Sequence, residues 1–145
     1  MRHGGTILVQ ALKANRVERV FSVPGESFLA ALDGLHDSGI QNIVCRHEGG
    51  AAMMAEAAGK LSGRPGVAFV TRGPGATNAS AGVHVARQDS TPMVLFIGQV
   101  PTHQLGREAF QEIDYHIMFG PLTKGVMQAF TASEVTEITQ KAFAL

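Results

Sequence analysis

VAFVTRGPGATN, residues 67–78, is the most informative segment of this chain for its fold. It opens with an apolar run rich in β-formers, turns through Gly73-Pro74-Gly75 and continues into an Ala-rich segment. A strand, a tight glycine turn and a helix in immediate succession are typical of a β–α–β unit. The stretch therefore predicts a parallel sheet with helices packed beside it.

The same alternation continues in both directions along the chain. Strands are predicted over residues 20–23, 43–45, 67–71 and 93–97, and helices over 6–15, 28–39, 48–61, 76–87 and 134–145. Ser27 is the expected cap of the second helix, and Ser133 with Thr136 is expected to open the last. Between the fourth strand and the last helix, residues 98–123 are predicted to be irregular and residues 125–130 to be extended. The fourth strand, MVLFI, is apolar throughout, which indicates burial on both faces. Right-handed crossovers then give an α/β fold, a three-layer α/β/α domain with a mostly parallel sheet.

Composition excludes several classes of protein. Apolar residues make up 45% of the 145 residues and charged residues 17%, which is typical of one packed globular domain rather than a disordered chain. Lys and Arg total 12, as do Asp and Glu, so no charge excess favours nucleic acid or an anionic membrane. No apolar run approaches the roughly 20 residues that span a bilayer. The single Cys45 excludes a disulfide scaffold. We therefore expect a cytoplasmic protein.

Loops that follow three of the predicted strands contain residues suited to a binding site. Pro24-Gly25 follows the first strand, Glu48 the second and Gly73-Pro74-Gly75 the third. Each loop alone is explained by an ordinary turn, but the carboxyl ends of parallel strands share one edge of the sheet. A phosphate loop is disfavoured, since no Lys-Ser/Thr pair follows the glycines and Pro74 removes a backbone donor. The pattern predicts a ligand site at this edge.

The helix predicted to begin at Glu48 is rich in small residues, GGAAMMAEAAGK over residues 49–60. Small residues permit close backbone approach, and either packing within the chain or a subunit interface explains them. We favour the interface. Glu56 and Lys60 are predicted to form a solvated i, i+4 pair. The six His residues show no metal-ligand spacing, so no metal site and no catalytic His are predicted.

The assembled motifs resemble a known family. They are Val23-Pro24-Gly25, Arg46-His47-Glu48-x-Gly50-Ala51-Ala52, Gly73-Pro74-Gly75-Ala76-Thr77-Asn78, Gly98-Gln99-Val100-Pro101 and Ala109-Phe110-Gln111-Glu112. In this order the chain is similar to the amino-terminal pyrimidine-binding domain of thiamine diphosphate enzymes of the acetolactate synthase and pyruvate oxidase group. The similarity covers essentially the whole chain.

This resemblance implies a role for individual residues. Glu48 matches the catalytic glutamate that hydrogen-bonds a ring nitrogen of the cofactor's aminopyrimidine and promotes loss of the thiazolium proton. The positions that match the lining of the pyrimidine pocket are Pro24, Gly25, Thr71, Pro74 and Asn78. Those that match positions near the substrate are Phe110, Gln111 and Lys124. The histidine pair of pyruvate decarboxylase-like relatives is missing near Phe110, which favours carboligation over release of an aldehyde.

The resemblance also implies cofactors and partners. It implies thiamine diphosphate, with Mg²⁺ held by a Gly-Asp-Gly…Asn motif that this sequence lacks, and it allows FAD in a middle domain of a longer chain. The expected partners are a 2-oxo acid substrate and further copies of the chain, in a homodimer or homotetramer through the helix at Glu48. Residues 1–145 are therefore predicted to be one pyrimidine-binding domain of a longer chain, inactive alone.

Two departures from acetolactate synthases, Gly49 and Glu26, leave the substrate pair open. The alternative is a stand-alone binding or regulatory module of the same fold that pairs with a partner chain. A nucleotide-binding Rossmann-like domain is disfavoured, because the glycine fingerprint is incomplete.

Overall fold

The computed structural model describes residues 3–145 of the chain. The strands are β1 (Arg19–Ser22), β2 (Gln41–Val44), β3 (Gly66–Val70) and β4 (Met93–Ile97). The helices are α1 (Gly4–Ala14), α2 (Leu29–Leu35), α3 (Glu48–Ser62), α4 (Pro74–Gln88), α5 (Tyr115–Phe119) and α6 (Val135–Ala144). Single 3₁₀ turns occupy Glu26–Phe28, Thr102–Gln104, Gly120–Leu122 and Ala132–Glu134.

The strands form one parallel sheet in the order β2-β1-β3-β4. All five residues of β3 are buried, as the apolar run predicted to be a strand over residues 67–71 indicates. Helices cover both faces of the sheet, which confirms the predicted three-layer α/β/α architecture. No helix among residues 3–145 is long and apolar enough to cross a membrane.

Alternate residues of β3 divide the core into two halves. Val67 and Phe69 point into the half formed with α1 and α2, where Phe69 stacks between Phe28 and Phe96 at centroid distances of 5.9 and 4.7 Å. Ala68 and Val70 point to the other face, where they join the apolar clusters of α3 and α4. Full burial of one large apolar side chain stabilises a fold by about 1.5–3 kcal/mol. The central strand therefore contributes to both halves of the core.

Helices α3 and α4 pack closely because small residues face each other. A Cβ on Gly82 of α4 would lie 2.5 Å from the Cβ of Ala52 of α3. The small residues of α3 that are buried within the chain are Ala51, Ala52, Ala55 and Gly59. Packing inside the domain accounts for this part of the helix. The large apolar side chains that α3 leaves exposed are Met53, Met54 and Leu61.

Two predictions about polar side chains were wrong. Ser27 does not cap α2, whose cap position is Phe28. The Ser27 hydroxyl instead hydrogen-bonds Thr71 Oγ1 and accepts from the backbone N–H of Arg72. Glu56 is not solvated: it is 6% exposed, and its carboxylate accepts from Thr91 Oγ1 and pairs with Lys60, both at 3.0 Å. Burial of this carboxylate is tolerated because two donors replace water.

Predicted boundaries shifted where tertiary contacts decide them. Helix α2 ends at Leu35 rather than near Gly39, and β2 ends before Cys45. Residues 98–123, predicted to be irregular, contain α5. A capping box of Thr131 and Glu134 opens the 3₁₀ turn Ala132–Glu134 that leads into α6, in place of a cap at Ser133. Residues 125–130, predicted to be extended, pair with none of the strands in the described residues. A groove of about 1050 Å³ lies there, lined by β4, α6 and residues 124–129.

Candidate functional site

The predicted loops meet at the carboxyl ends of β1 and β3, in the middle of the sheet. From β1 the chain passes to β2 on one side, and from β2 it crosses back to β3 on the other. Open α/β sheets bind ligands at such a switch in strand order, because the loops diverge there and leave a crevice. A hydrogen bond of 2.8 Å between Ser27 Oγ and Thr71 Oγ1 joins the two loops at this point.

Glu48 is the first residue of α3 and is half-buried. The preceding His47 caps the helix, since its Nδ1 accepts from the backbone N–H of Gly49 at 3.0 Å. The positive end of the helix dipole favours a carboxylate at this position. Asn78 Nδ2 of α4 donates to Glu48 Oε2 at 3.0 Å. Glu48 Oε1 forms no hydrogen bond within residues 3–145, and it lies 3.4 Å from where a Cβ on Gly75 would be.

Thr71 explains why both flanking turns contain glycine. A Cβ on Gly25 would lie 2.4 Å from Thr71 Cβ, and one on Gly75 would lie 2.8 Å from Thr71 Cγ2. Pro74 occupies the first turn of α4, where its missing N–H costs no helical hydrogen bond. The glycines let the β1 and β3 loops close around Thr71. Pro24 precedes Gly25 and is exposed beside this contact.

A third loop, residues 105–112 (the Phe110 loop), borders the site. A Cβ on Gly73 would lie 2.6 Å from Gln111 Cβ, so Gln111 rests directly on the turn that starts α4. Tyr115 Oη accepts from the backbone N–H of Gly73 at 2.9 Å, and burial raises the pKa of this phenol. The ring of Phe110 is 73% exposed. The loop therefore sits beside the site with an apolar ring open to contact.

Arg72 connects these loops and was missed in the sequence. It is buried, its Nε donates to the carbonyl of Phe110 at 2.9 Å, and its Nη2 donates to Glu26 Oε1 at 2.5 Å. The available signal was a cation in the loop after one central strand and a carboxylate in the loop after the other. Glu26 and Arg72 are 46 positions apart in sequence, so their contact can be predicted only once the strand order is known.

Of the predicted site residues, Pro24, Gly25, Glu48, Thr71, Pro74 and Asn78 lie on the loops and helix ends that meet at this edge, and Phe110 and Gln111 lie beside them. Lys124 does not join them. Its Nζ donates to the carbonyl of Leu145, and the adjacent Thr123 accepts from Arg87 near the far end of α4. At a rise of 1.5 Å per residue, that end is about 20 Å from Pro74.

The chemistry of the site fits the pyrimidine side of thiamine diphosphate. A carboxylate with one oxygen held by Asn78 and the other unpaired can share a proton with a ring nitrogen. The glycine-lined turns add close backbone approach. No group of three or more His, Cys, Asp or Glu side chains in the described residues could hold a metal ion. Among the described residues, the side chains at this edge therefore suit hydrogen bonding to an aminopyrimidine.

Comparison with known proteins agrees with this assignment. The family model described as "Thiamine pyrophosphate enzyme, N-terminal TPP binding domain" matches residues 2–118. A probable acetolactate synthase large subunit of Methanococcus aeolicus is 42% identical over 141 residues, which is 97% of this chain and 24% of the relative. The acetolactate synthase large subunit of Lactococcus lactis subsp. lactis (strain IL1403) is 41% identical over 143 residues, 98% of this chain and 25% of the relative.

The acetolactate synthase isozyme 2 large subunit of Escherichia coli (strain K12) is 38% identical over 141 residues, 97% of this chain and 26% of the relative. The chain thus spans about a quarter of the length of these relatives. The resemblance seen in the motifs is confirmed. Since the family match covers most of its length and the site has the expected carboxylate, the chain belongs to the N-terminal TPP-binding domains of the thiamine pyrophosphate enzymes.

Proposed function

We propose that this chain is the pyrimidine-side half of the active site of a thiamine diphosphate-dependent carboligase that acts on a 2-oxo acid. The observation that carries the proposal is the half-buried Glu48, with Oε2 held by Asn78 and Oε1 unpaired within the described residues. The relatives that are acetolactate synthases supply the substrate class.

When bound, the cofactor supplies the carbanion chemistry that a 2-oxo acid needs to lose carbon dioxide. Glu48 Oε1 would share a proton with a ring nitrogen of the bound aminopyrimidine, while Asn78 holds Oε2. Thr71, packed between Gly25 and Gly75, would line the pocket for the ring. Phe110 and Gln111 would contact the substrate. Lys124 remains a proposed contact of the substrate channel, in a part of the molecule away from Glu48.

The proposal includes the rest of the enzyme. A diphosphate-binding domain with Mg²⁺, supplied outside residues 1–145, would complete the site, and FAD would belong to a further domain. The exposed Met53, Met54 and Leu61 on α3 support assembly into a homodimer or homotetramer, because adaptable apolar side chains favour contact with another protein surface. Such an enzyme would work in the cytoplasm.

The test replaces Glu48 with Gln in the full native product that contains this sequence. The amide keeps the shape of the side chain but cannot share a proton, so we expect exchange of the thiazolium C2 proton to slow by about 100-fold or more. NMR of acid-quenched samples measures this exchange. The matched control is Glu18→Gln. Glu18 is a largely exposed carboxylate at the amino end of β1, whereas the site lies at the carboxyl ends of the strands.

Exchange at the wild-type rate in E48Q would contradict the proposed role of Glu48. If the native product ends at Leu145 and pairs with a separate chain, the alternative of a binding module is favoured instead. A visible absorption spectrum of the purified product would report on flavin.

A further inference from the structure

The strongest unexplained feature of the site is the buried cation Arg72. Its side chain is only 11% exposed, whereas its partner Glu26 is 66% exposed. Burying a charge is costly unless ionic or hydrogen-bonding partners replace water. Arg72 has both kinds, Glu26 Oε1 and the carbonyl of Phe110. The chain thus retains a buried guanidinium whose contacts lead to two different loops.

The Phe110 loop is held in a demanding conformation. Glu108 and Gln111 adopt left-handed φ angles of +53° and +64°, which non-glycine residues rarely do. Such conformations persist where surrounding contacts fix them, and they cluster at functional sites. Inside the loop, Glu112 accepts from the backbone N–H groups of Gly106 at 2.6 Å and Ala109 at 3.1 Å, and these bonds lower the pKa of its carboxyl.

Two contacts join this internally braced loop to the turn that follows β3. Gln111 rests on Gly73, and the carbonyl of Phe110 accepts from Arg72 Nε. The guanidinium is planar, and its fork can serve Phe110 and Glu26 at once, which a lysine ammonium cannot do with the same geometry. Glu26 therefore sets the orientation of Arg72, and Arg72 sets the position of the loop.

We propose that Arg72 is a positioning residue for substrate binding, which holds the exposed ring of Phe110 at the edge of the site while Glu26 orients the guanidinium. This inference rests on the proposed function, because it takes the 2-oxo acid to bind beside Phe110. An apolar contact of this kind is made equally to the bound substrate and to the transition state. Its loss therefore raises KM and leaves kcat nearly unchanged.

The experiment compares Arg72→Lys and Glu26→Gln in the full native product, with pyruvate as the 2-oxo acid. For R72K we expect KM to rise by about tenfold, with kcat changed by less than about threefold, as a small displacement of a binding group predicts. For E26Q, which keeps an acceptor oxygen, the increase in KM is smaller. Arg64→Lys is the matched control, since Arg64 also pairs with a glutamate, Glu18, away from the site.

Two further measurements separate positioning from general stability. Hydrogen exchange at the amides of Gly106, Ala109 and Glu112 should accelerate in R72K while exchange in α4 stays unchanged. Exchange of the cofactor C2 proton should also stay at the wild-type rate, because Glu48 is intact. This second readout distinguishes the present inference from the proposed function, which E48Q tests separately.

Unchanged KM and unchanged loop exchange in R72K would overturn the inference, as would a uniform loss of protection across the whole domain. If R72K does not fold, E26Q decides, because Glu26 is largely exposed and its replacement leaves the core intact. Wild-type exchange in the Phe110 loop of E26Q would then overturn the inference.

Discussion

At the scale of single residues, the hydrogen bond from Asn78 to Glu48 determines how the carboxylate faces the site. Glu48 stands at the start of α3 and Asn78 in the second turn of α4, so the close packing of the two helices brings them to 3.0 Å. His47 adds a second constraint by capping α3 through its ring nitrogen. The position of the carboxylate is therefore constrained both by Asn78 and by the capped start of α3.

Asn78→Ala should slow exchange of the cofactor C2 proton in the full product by roughly tenfold, less than E48Q. A hydrogen bond to a charged group contributes about 1.5 kcal/mol at the low end, and each 1.36 kcal/mol is a factor of ten in rate. Ser80→Ala is the control, since the Ser80 hydroxyl donates to the carbonyl of Thr77 in its own helix. Equal rates for N78A and wild type would show that Glu48 keeps its orientation without Asn78.

At the scale of secondary-structure elements, the contact between α3 and α4 holds together the helix starts that carry Glu48 and Asn78. Gly82 lies against Ala52 and the backbone of Met53, with a hypothetical Cβ at 2.5 to 2.9 Å from their atoms. Backbone atoms cannot move aside as the end of a flexible side chain can. A larger residue at this position must push the helices apart, and Glu48 and Asn78 move with them.

Gly82→Ala should therefore lower the free energy of unfolding by about 1–3 kcal/mol, although alanine is the better helix former. Urea denaturation of the 145-residue chain at low concentration measures the change. Gly50→Ala on α3 is the matched control, because a Cβ there meets no atom within 4 Å and should stabilise the helix by up to about 1 kcal/mol. Equal stability of G82A and wild type would mean that the helix contact is looser than described.

The sequence predicted these elements well where a local pattern defines them. Periodicity located all four strands and the helices that carry Glu48 and Asn78, and the carboxyl-end rule brought their loops together. It failed where the partner is distant in sequence. Ser27 is a residue type that often caps helices, but its hydroxyl bonds to Thr71, 44 residues away. The buried carboxylate of Glu56 accepts a hydrogen bond from Thr91, 35 residues away. Arg72 was missed for the same reason.

At the scale of the whole molecule, the open edge of the sheet and the make-up of the site bear on the proposal that other parts of an enzyme complete this domain. β4 is the last strand of the sheet among the described residues, and a groove of about 1050 Å³ runs beside it. An unpaired strand edge next to apolar surface favours association with other chains. The site itself has a carboxylate and glycine-lined turns, but the described residues offer no cluster that could hold a metal ion.

The isolated 145-residue chain should therefore bind thiamine diphosphate too weakly to change its melting temperature. The diphosphate and its Mg²⁺ need cationic or metal-binding groups, and burial of the pyrimidine alone does not offset the entropy lost on binding. Differential scanning fluorimetry with millimolar cofactor and Mg²⁺ is the measurement. In the full product, cofactor at about 100 times Kd should raise the melting temperature measurably, because bound ligand stabilises by about 2.7 kcal/mol. A similar rise in the isolated chain would mean that residues 1–145 hold the diphosphate themselves, and the division of the site between two domains would then be wrong.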